Sequence, residues 1–176
     1  MSYIKVLLLM LTVAVVAACS PSAEEAFSQA ESEVRTVVLS SEDIETNYSF
    51  DRFDAYKPDD FQVTDENPHN VVFNDGGQPY VLFVNEFEAP NSQWFYNRIA
   101  DEGIYLRTIE TEDAFAYIHA IEHGDDQYEV HLGIGGIKMS TITSLSQVED
   151  DAKLMIEIIS SVEQIEEDDD EGEDEE

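Results

Sequence analysis

The stretch FAYIHAIEHGDDQYEVHLGI, residues 115–134, decides the fold. On both sides of its central HGDD, every second residue belongs to one face, which is the pattern of a half-buried strand. These positions are Phe115, Tyr117, His119 and Ile121, then Tyr128, Val130, Leu132 and Ile134. A turn at Gly124-Asp125 would close the two strands into an antiparallel hairpin. That closure pairs His119 with Val130 and Ile118 with His131, so the two histidines are expected on opposite faces.

Residues 119–123 of this hairpin, HAIEH, resemble the H-x-x-E-H zinc motif of inverzincin peptidases. The motif needs a helix, which places both histidines on one face beside a glutamate base. A helix has local support, since Thr111 could cap it and Gly124 could end it. On the predicted strand, however, four residues span about 13 Å, which zinc–nitrogen bonds of about 2 Å cannot bridge. We therefore predict no metal site, no catalytic residue and no cofactor.

Outward from the hairpin, short apolar or alternating runs bounded by turn residues predict more strands. These lie at Val34–Leu39, Phe61–Thr64, Val71–Asn74, Tyr80–Phe87, Ile104–Glu110 and Ile137–Thr143. A short helix is predicted at Gln93–Glu102, with Ser92 as its N-cap and Gly103 after its end. Its Trp94, Phe95 and Ile99 could form a ligand platform, but the spacing favours a stripe that faces the core.

The last helix has the strongest pattern in the chain. Ser146 and Glu149 fit an S-x-x-E capping box, and apolar residues follow at helical spacing. They are Val148, Ala152, Met155, Ile156, Ile159 and Val162. The sequence therefore predicts an α+β fold, in which one inserted helix and one C-terminal helix pack on an antiparallel sheet.

Two resemblances agree with this fold. The entry Tyr56, Pro58 and Phe61, the strand-rich middle and the ending DDAKLMIEIISSV are similar to PsbP/Mog1-like domains. The segments YVLFVNEFEAP and GIGGIKMSTIT resemble small uncharacterised lipoproteins of Bacillus-type bacteria. Both resemblances imply a fold over about residues 50–162 rather than a reaction.

The N-terminal residues predict where in the cell the protein is located. Residues 1–18 have one early lysine and then an uncharged run that is too short to span a membrane, as in a signal peptide. The end of that run, Val16-Ala17-Ala18-Cys19, resembles a bacterial lipobox. The resemblance implies lipidation of Cys19 and a mature protein tethered to the extracytoplasmic face of the cell membrane, or to the outer membrane in a two-membrane cell. Because Cys19 is the only cysteine, no disulfide can form within the chain.

Between the two ends we expect a flexible tether at residues 19–33 and a single domain at residues 34–165. Residues 166–176 hold ten acids in eleven positions, so we expect a disordered tail. The chain has 40 acidic and eight basic residues and a net charge of −32, which excludes nucleic acid as a partner. Adaptation to high salt, adaptation to alkaline surroundings and a simply soluble acidic surface remain open explanations.

These observations predict a lipid-anchored extracytoplasmic protein that binds a ligand or assists an envelope complex. Its partners would be the membrane, through the lipid on Cys19, and an envelope protein as a further candidate. The alternative is a surface metal-dependent hydrolase that uses His119, Glu122 and His123.

Overall fold

The computed structural model describes residues 22–40, 42–99 and 103–165. Its main feature is a seven-stranded antiparallel sheet with strand order β3-β4-β5-β9-β8-β7-β6, and a small sheet has the order β1-β2-β10. The strands are β1 (Tyr48–Ser49), β2 (Phe53–Ala55), β3 (Gln62–Asn67), β4 (Asn70–Asp75), β5 (Gln78–Val84), β6 (Tyr105–Glu110), β7 (Phe115–Gly124), β8 (Gln127–Ile134), β9 (Ile137–Ser144) and β10 (Glu163–Gln164). The predicted signal peptide, Cys19 and the acidic tail lie outside the described residues.

Two helices cover one face of the large sheet: α1 (Ala23–Val38) and α2 (Val148–Ser160). They pack against each other, with α1 over β6 and β7 and α2 over β8 and β9. The sheet residues beneath them are fully buried and include Leu82, Ile118, Leu132 and Met139. The fold is therefore α+β, as predicted. Among the described residues, neither helix is long and apolar enough to cross a membrane.

Helix α1 corrects the predicted tether and the predicted strand at Val34–Leu39. The Ser22 side chain accepts a hydrogen bond from the Glu25 backbone, and the Glu25 carboxylate accepts one from the Ser22 backbone, which forms a capping box. Ala26, Phe27, Ala30 and Val34 then form one buried stripe. Because these residues belong to the main core, the folded domain begins no later than Ser22.

The inserted helix predicted at Gln93–Glu102 is also wrong for the residues that the structure describes. Only Tyr96–Arg98 forms a single 3-10 turn, and residues 100–102 lie outside the description. The rings of two consecutive residues pack on different neighbours: Phe95 packs on Phe83, and Tyr96 packs on Phe115. Tertiary packing therefore overrides the weak helical pattern.

Helix α2 is confirmed, but its predicted capping box is not. Val148 is the first helical residue, and Gln147 at the N-cap makes no side-chain cap bond. The first turn is instead anchored through buried Asp151, which accepts hydrogen bonds from Tyr80 Oη (2.7 Å), Gln78 Nε2 (3.1 Å) and the Thr143 hydroxyl. These bonds tie α2 to β5 and β9. The burial of Tyr80 and its contact with Asp151 raise the pKa of the Tyr80 phenol.

Candidate functional site

The hairpin of β7 and β8 places two histidines on the sheet face opposite the helices, here called the open face. His119 lies opposite His131, not opposite Val130 as predicted. The turn falls at Asp125-Asp126, whose φ values of 51° and 58° suit a type I′ turn, and a bulge lies between Glu122 and Gly124. The two imidazole rings therefore stack, with 5.7 Å between their centroids.

These histidines belong to a cavity of about 480 Å³ on the open face, here called the aromatic pocket. Its floor comes from four strands, and one wall comes from the segment between β5 and β6. The lining residues are Phe83, Trp94, Phe95, Arg98, Ile99, Tyr117, His119, Ile121, His131 and Lys138. This volume lies in the range of small-ligand sites, and the lining combines apolar rings with a few polar groups.

Aromatic rings set the walls of the aromatic pocket. Phe95 meets Phe83 edge-to-face at 5.4 Å, and Trp94 meets Phe95 in the same way at 4.8 Å. Phe95 is buried, whereas Trp94, the only tryptophan of the chain, is 36% exposed. The predicted core stripe of Trp94, Phe95 and Ile99 is therefore a wall that packs on the sheet and also lines a cavity.

The aromatic pocket gathers two of the eight basic residues of the chain. The Arg98 guanidinium lies 3.5 Å from the centroid of the Trp94 ring, and its Nη1 donates to the Trp94 carbonyl oxygen at 2.9 Å. The half-buried Lys138 places its ammonium 5.2 Å from the centroid of the Phe95 ring. Among the described residues, no carboxylate lines this cavity, and neither cation forms an ion pair.

Burial lowers the pKa values of the two histidines of the floor and so favours their uncharged forms. His119 is 3% exposed, and within the described part of the chain its Nε2 has no hydrogen-bond partner. Burial lowers the pKa of His119, against a weaker opposing effect of Glu129. Burial also lowers the pKa of His131. The charge of Glu129 opposes this shift, and the charges of His119 and Lys138 add to it. The Glu129 carboxylate is 3.3 Å from His131 Nε2.

Two glycines make room for the rings of the floor. A Cβ atom on Gly133 would lie 2.4 Å from Cε1 of Tyr117, which is directly opposite on β7. A Cβ atom on Gly103 would lie 2.3 Å from Nε2 of His119. Such contacts are far inside van der Waals distance, so both ring positions depend on glycine.

The H-x-x-E-H residues do not converge on a metal. The predicted strand is confirmed, because all three residues lie on β7, with His119 buried and Glu122 and His123 exposed. Four residues of strand separate the histidines, or about 13 Å. Across the described ranges, no three His, Cys, Asp or Glu side chains come together as a potential metal site.

A larger cavity of about 720 Å³ lies near the C-terminal ends of the two helices. Its lining mixes apolar residues, among them the exposed Phe87, with polar ones, and its rim carries Glu42, Asp43, Glu86 and Glu88. Glu86 contacts Arg52 at 3.2 Å, and Glu88 accepts a hydrogen bond from Ser92. This rim shares the negative sign of the whole surface. The smaller aromatic pocket is the stronger candidate of the two cavities, because the buried His119, the half-buried His131 and two cations converge there.

Sequence reasoning missed Arg98, Lys138, His131 and Gly133 as parts of one site. The available signal was charge: a lysine within the apolar strand Ile137–Thr143 is unusual in a chain with so few basic residues. Their convergence depends on strand register, which spacing along the chain does not reveal.

Comparisons with known proteins assign no role to these residues. No protein-family model matches the chain, and no curated protein matches it significantly. The similarities to PsbP/Mog1-like domains and to Bacillus-type lipoproteins stay predictions from the sequence.

Proposed function

We propose that the protein is a lipid-anchored extracytoplasmic binding protein whose aromatic pocket holds a small ligand. The aromatic pocket itself is the observation that carries this proposal. It is open to solvent on a face that neither helix covers, and its size and aromatic lining suit a small molecule. Its two imidazoles and its two cations supply polar groups that can orient that molecule.

The lipobox-like Val16–Cys19 supports the anchor, and helix α1 limits how far the domain can move from it. Only Ser20, Pro21 and Ser22 separate Cys19 from the first residue of α1. Three extended residues span about 10 Å. A lipid on Cys19 would therefore hold the N-terminal end of α1 close to the membrane surface, rather than at the end of a long tether.

The anchor is tested by mass spectrometry of the membrane-extracted protein, followed by cell fractionation. We expect a diacylglycerol-sized mass increment on Cys19, and we expect Cys19→Ala to leave the membrane fraction or keep its signal peptide. The control Ser20→Ala should stay lipidated. Wild-type protein without a lipid increment on Cys19 contradicts the anchor.

The binding function is tested by filling the aromatic pocket. Ile121 lines its floor, whereas Val81 lies on the same sheet face, 38% exposed and outside the cavity. Native mass spectrometry would compare Ile121→Trp and Val81→Trp with wild type after incubation with a small-molecule extract of the cell envelope. We expect wild type and Val81→Trp to retain a common bound mass that Ile121→Trp loses. Equal retention by all three variants, or retention by none, contradicts the proposal.

A further inference from the structure

We propose that the ligand of the aromatic pocket is a small organic anion with a planar apolar body. Lys138 and Arg98 would receive its anionic group, and the rings of Phe83, Phe95 and Tyr117 would hold its planar body. This inference rests on the proposed binding function and specifies the ligand class of that same site.

The environment of Lys138 is the first argument. The structure records no hydrogen bond or ion pair for its ammonium among the described residues, although the residue is half-buried. Lys57 is different, because its ammonium donates hydrogen bonds to the carbonyl oxygens of Pro58 (3.2 Å) and Phe61 (3.0 Å). Nζ of Lys138 is not among the fully buried atoms without a partner, so it reaches the solvent of the aromatic pocket, where a bound anion would replace water as its partner.

The register of the sheet shows how Lys138 is presented to a ligand. Phe83, Lys138, Gly133 and Tyr117 lie opposite one another in one row across β5, β9, β8 and β7. Gly133 has no side chain, so the ring of Tyr117 lies over it on one side of Lys138. Phe83 flanks Lys138 on the other side. Lys138 therefore extends from a position in the floor that aromatic residues flank on both sides, and its ammonium lies 5.2 Å from the centroid of the Phe95 ring.

Arg98 supplies the second cation from the wall. Its guanidinium stacks on the Trp94 indole, and the recorded hydrogen bond uses only Nη1. A guanidinium has five N–H donors in one plane, and stacking leaves its edge able to bind a carboxylate or phosphate. A stacked arginine is thus oriented for an anion before the anion arrives.

The local charge of the aromatic pocket is opposite in sign to the charge of the whole molecule, and it favours an anion over a cation. A net charge of −32 attracts cations and repels anions over the general surface. A cation site would gain from carboxylates, and the larger cavity has four of them on its rim. Among the described residues, the aromatic pocket is lined by two basic side chains and no acidic one. This local reversal of sign is what recognition of an anion by an acidic protein requires.

The aromatic rings of the pocket indicate that the apolar part of the ligand is planar. Aromatic side chains prefer edge-to-face or offset contacts with other flat rings, and the rings of Phe83, Phe95 and Trp94 already meet edge-to-face. The stacked imidazoles of His119 and His131 add flat surface to the floor. A planar ring can use these surfaces better than a flexible aliphatic chain.

The test compares matched probes that differ only in charge. The protein is the mature chain, residues 19–176 with Cys19→Ser, which keeps every described residue. The probes are benzoate and phenylacetate, their neutral amides benzamide and phenylacetamide, and benzylammonium. Fluorescence of Trp94 reports occupancy, because it is the only tryptophan and lies in the wall. We expect each carboxylate to bind at least about tenfold more tightly than its amide, a difference of about 1.4 kcal/mol.

Substitutions of the two cations test whether they cause the preference for a carboxylate over its amide. Lys138→Gln and Arg98→Gln should each reduce the ratio of carboxylate to amide affinity several-fold, because each removes a positive charge that attracts the carboxylate and not the neutral amide. Lys153→Gln is the matched control, since Lys153 is exposed on α2 at the other face of the sheet. Melting curves of each variant confirm that it is folded.

The outcomes separate this inference from the binding function. Equal affinity for acid and amide, tightest binding of benzylammonium, or a preference that neither Lys138→Gln nor Arg98→Gln changes would overturn the anionic ligand. The binding function would still stand if Ile121→Trp abolished binding of the neutral probes, measured by isothermal titration calorimetry because this variant has a second tryptophan. The absence of saturable binding by any probe overturns the ligand class, and the native mass spectrometry comparison then decides on the function separately.

Discussion

At the scale of single residues, Gly133 determines where an aromatic ring of the pocket can lie. Tyr117 faces Gly133 across β7 and β8, and a Cβ atom there would meet three atoms of the phenol ring at 2.4–2.9 Å. Gly133 is buried in the middle of the sheet, so its backbone cannot move aside without breaking strand pairing. The ring would have to leave its position instead.

We therefore expect Gly133→Ala to destabilise the protein by about 1–3 kcal/mol, as overpacking of a core commonly does. Urea denaturation of the mature chain would measure this change. The combination with Tyr117→Leu is the control: without the large ring, the added methyl group should cost much less, which gives a coupling energy between the two sites. If the free-energy changes of Gly133→Ala and Tyr117→Leu simply added in the double variant, the Tyr117 ring would not be the reason for a glycine at position 133.

Tyr105 provides a second prediction at this scale, because its phenol donates to Glu31 Oε2 at 2.7 Å and links β6 to α1. Burial, the hydrogen bond to Glu31 and the charge of Glu31 raise the pKa of Tyr105 from 10 to about 12, with Glu24 adding and Arg107 opposing. A phenol with a raised folded-state pKa stabilises the fold fully below the unfolded-state value. That contribution is lost as the pH rises from about 10 to 12.

Tyr105→Phe should therefore lower the free energy of unfolding by about 1 kcal/mol at pH 8, through the lost hydrogen bond. It should also make the decline between pH 10 and 12 shallower. Some decline must remain, because burial also raises the pKa values of Tyr80 and Tyr117. Chemical denaturation at several pH values checks both effects, and a variant curve parallel to wild type contradicts the role of Tyr105.

At the scale of elements, the seven strands of the large sheet were predictable because alternation is a local property. The strand predicted at Val34–Leu39 was wrong, and the short strands β1, β2 and β10 were not predicted. Ile137–Thr143 was predicted and Ile137–Ser144 was found. The hairpin strands, predicted at Ala114–Glu122 and Gln127–Ile134, were found at Phe115–Gly124 and Gln127–Ile134. The register was not predictable, because a bulge before Gly124 and a turn shifted by one residue decide it. One residue of slip moves a side chain to the other face, so the stacked His119 and His131 could not be inferred.

Helix α1 was missed because small alanines hide its buried stripe within a segment rich in serine and glutamate. The signal that could have found it is Ser22-x-x-Glu25, the same S-x-x-E pattern that was used for α2. The pattern forms a capping box at α1, whereas Ser146 at α2 lies 3.0 Å from the Ser144 hydroxyl. The motif therefore indicates a helix start in both places but fixes the cap in only one.

Substitution of Phe27 tests how much helix α1 contributes to the stability of the domain. Its ring stacks on Tyr105 at 5.3 Å and meets Tyr128 edge-to-face at 5.4 Å, with 1% of the residue exposed. We expect Phe27→Ala to cost about 3–5 kcal/mol, as for other buried phenylalanines. Gln29→Ala, on the exposed side of α1, should change the free energy of unfolding by less than about 0.5 kcal/mol. If both variants unfolded at the same urea concentration as wild type, residues 22–38 would behave as a tether after all.

At the scale of the whole molecule, the net charge of −32 opposes folding. Folding brings like charges closer together than in the unfolded chain, so it raises their mutual repulsion. The described ion pairs offset little of this, because they are few and mostly at the surface. Ions in the medium must therefore screen much of the repulsion.

The last prediction is that the mature chain becomes markedly more heat-stable between low salt and molar NaCl. The Debye length falls from about 10 Å at 0.1 M to about 3 Å at 1 M, so repulsion between exposed carboxylates is largely screened. Deletion of residues 166–176 should change this gain little, because 30 of the 40 acidic residues precede that segment. Melting curves in NaCl and in KCl, with and without the segment, test both statements, and equal gains in the two salts exclude a specific ion. A melting temperature that does not change with salt would contradict adaptation to high salt, and a gain that disappears with the deletion would place the repulsion in the last eleven residues.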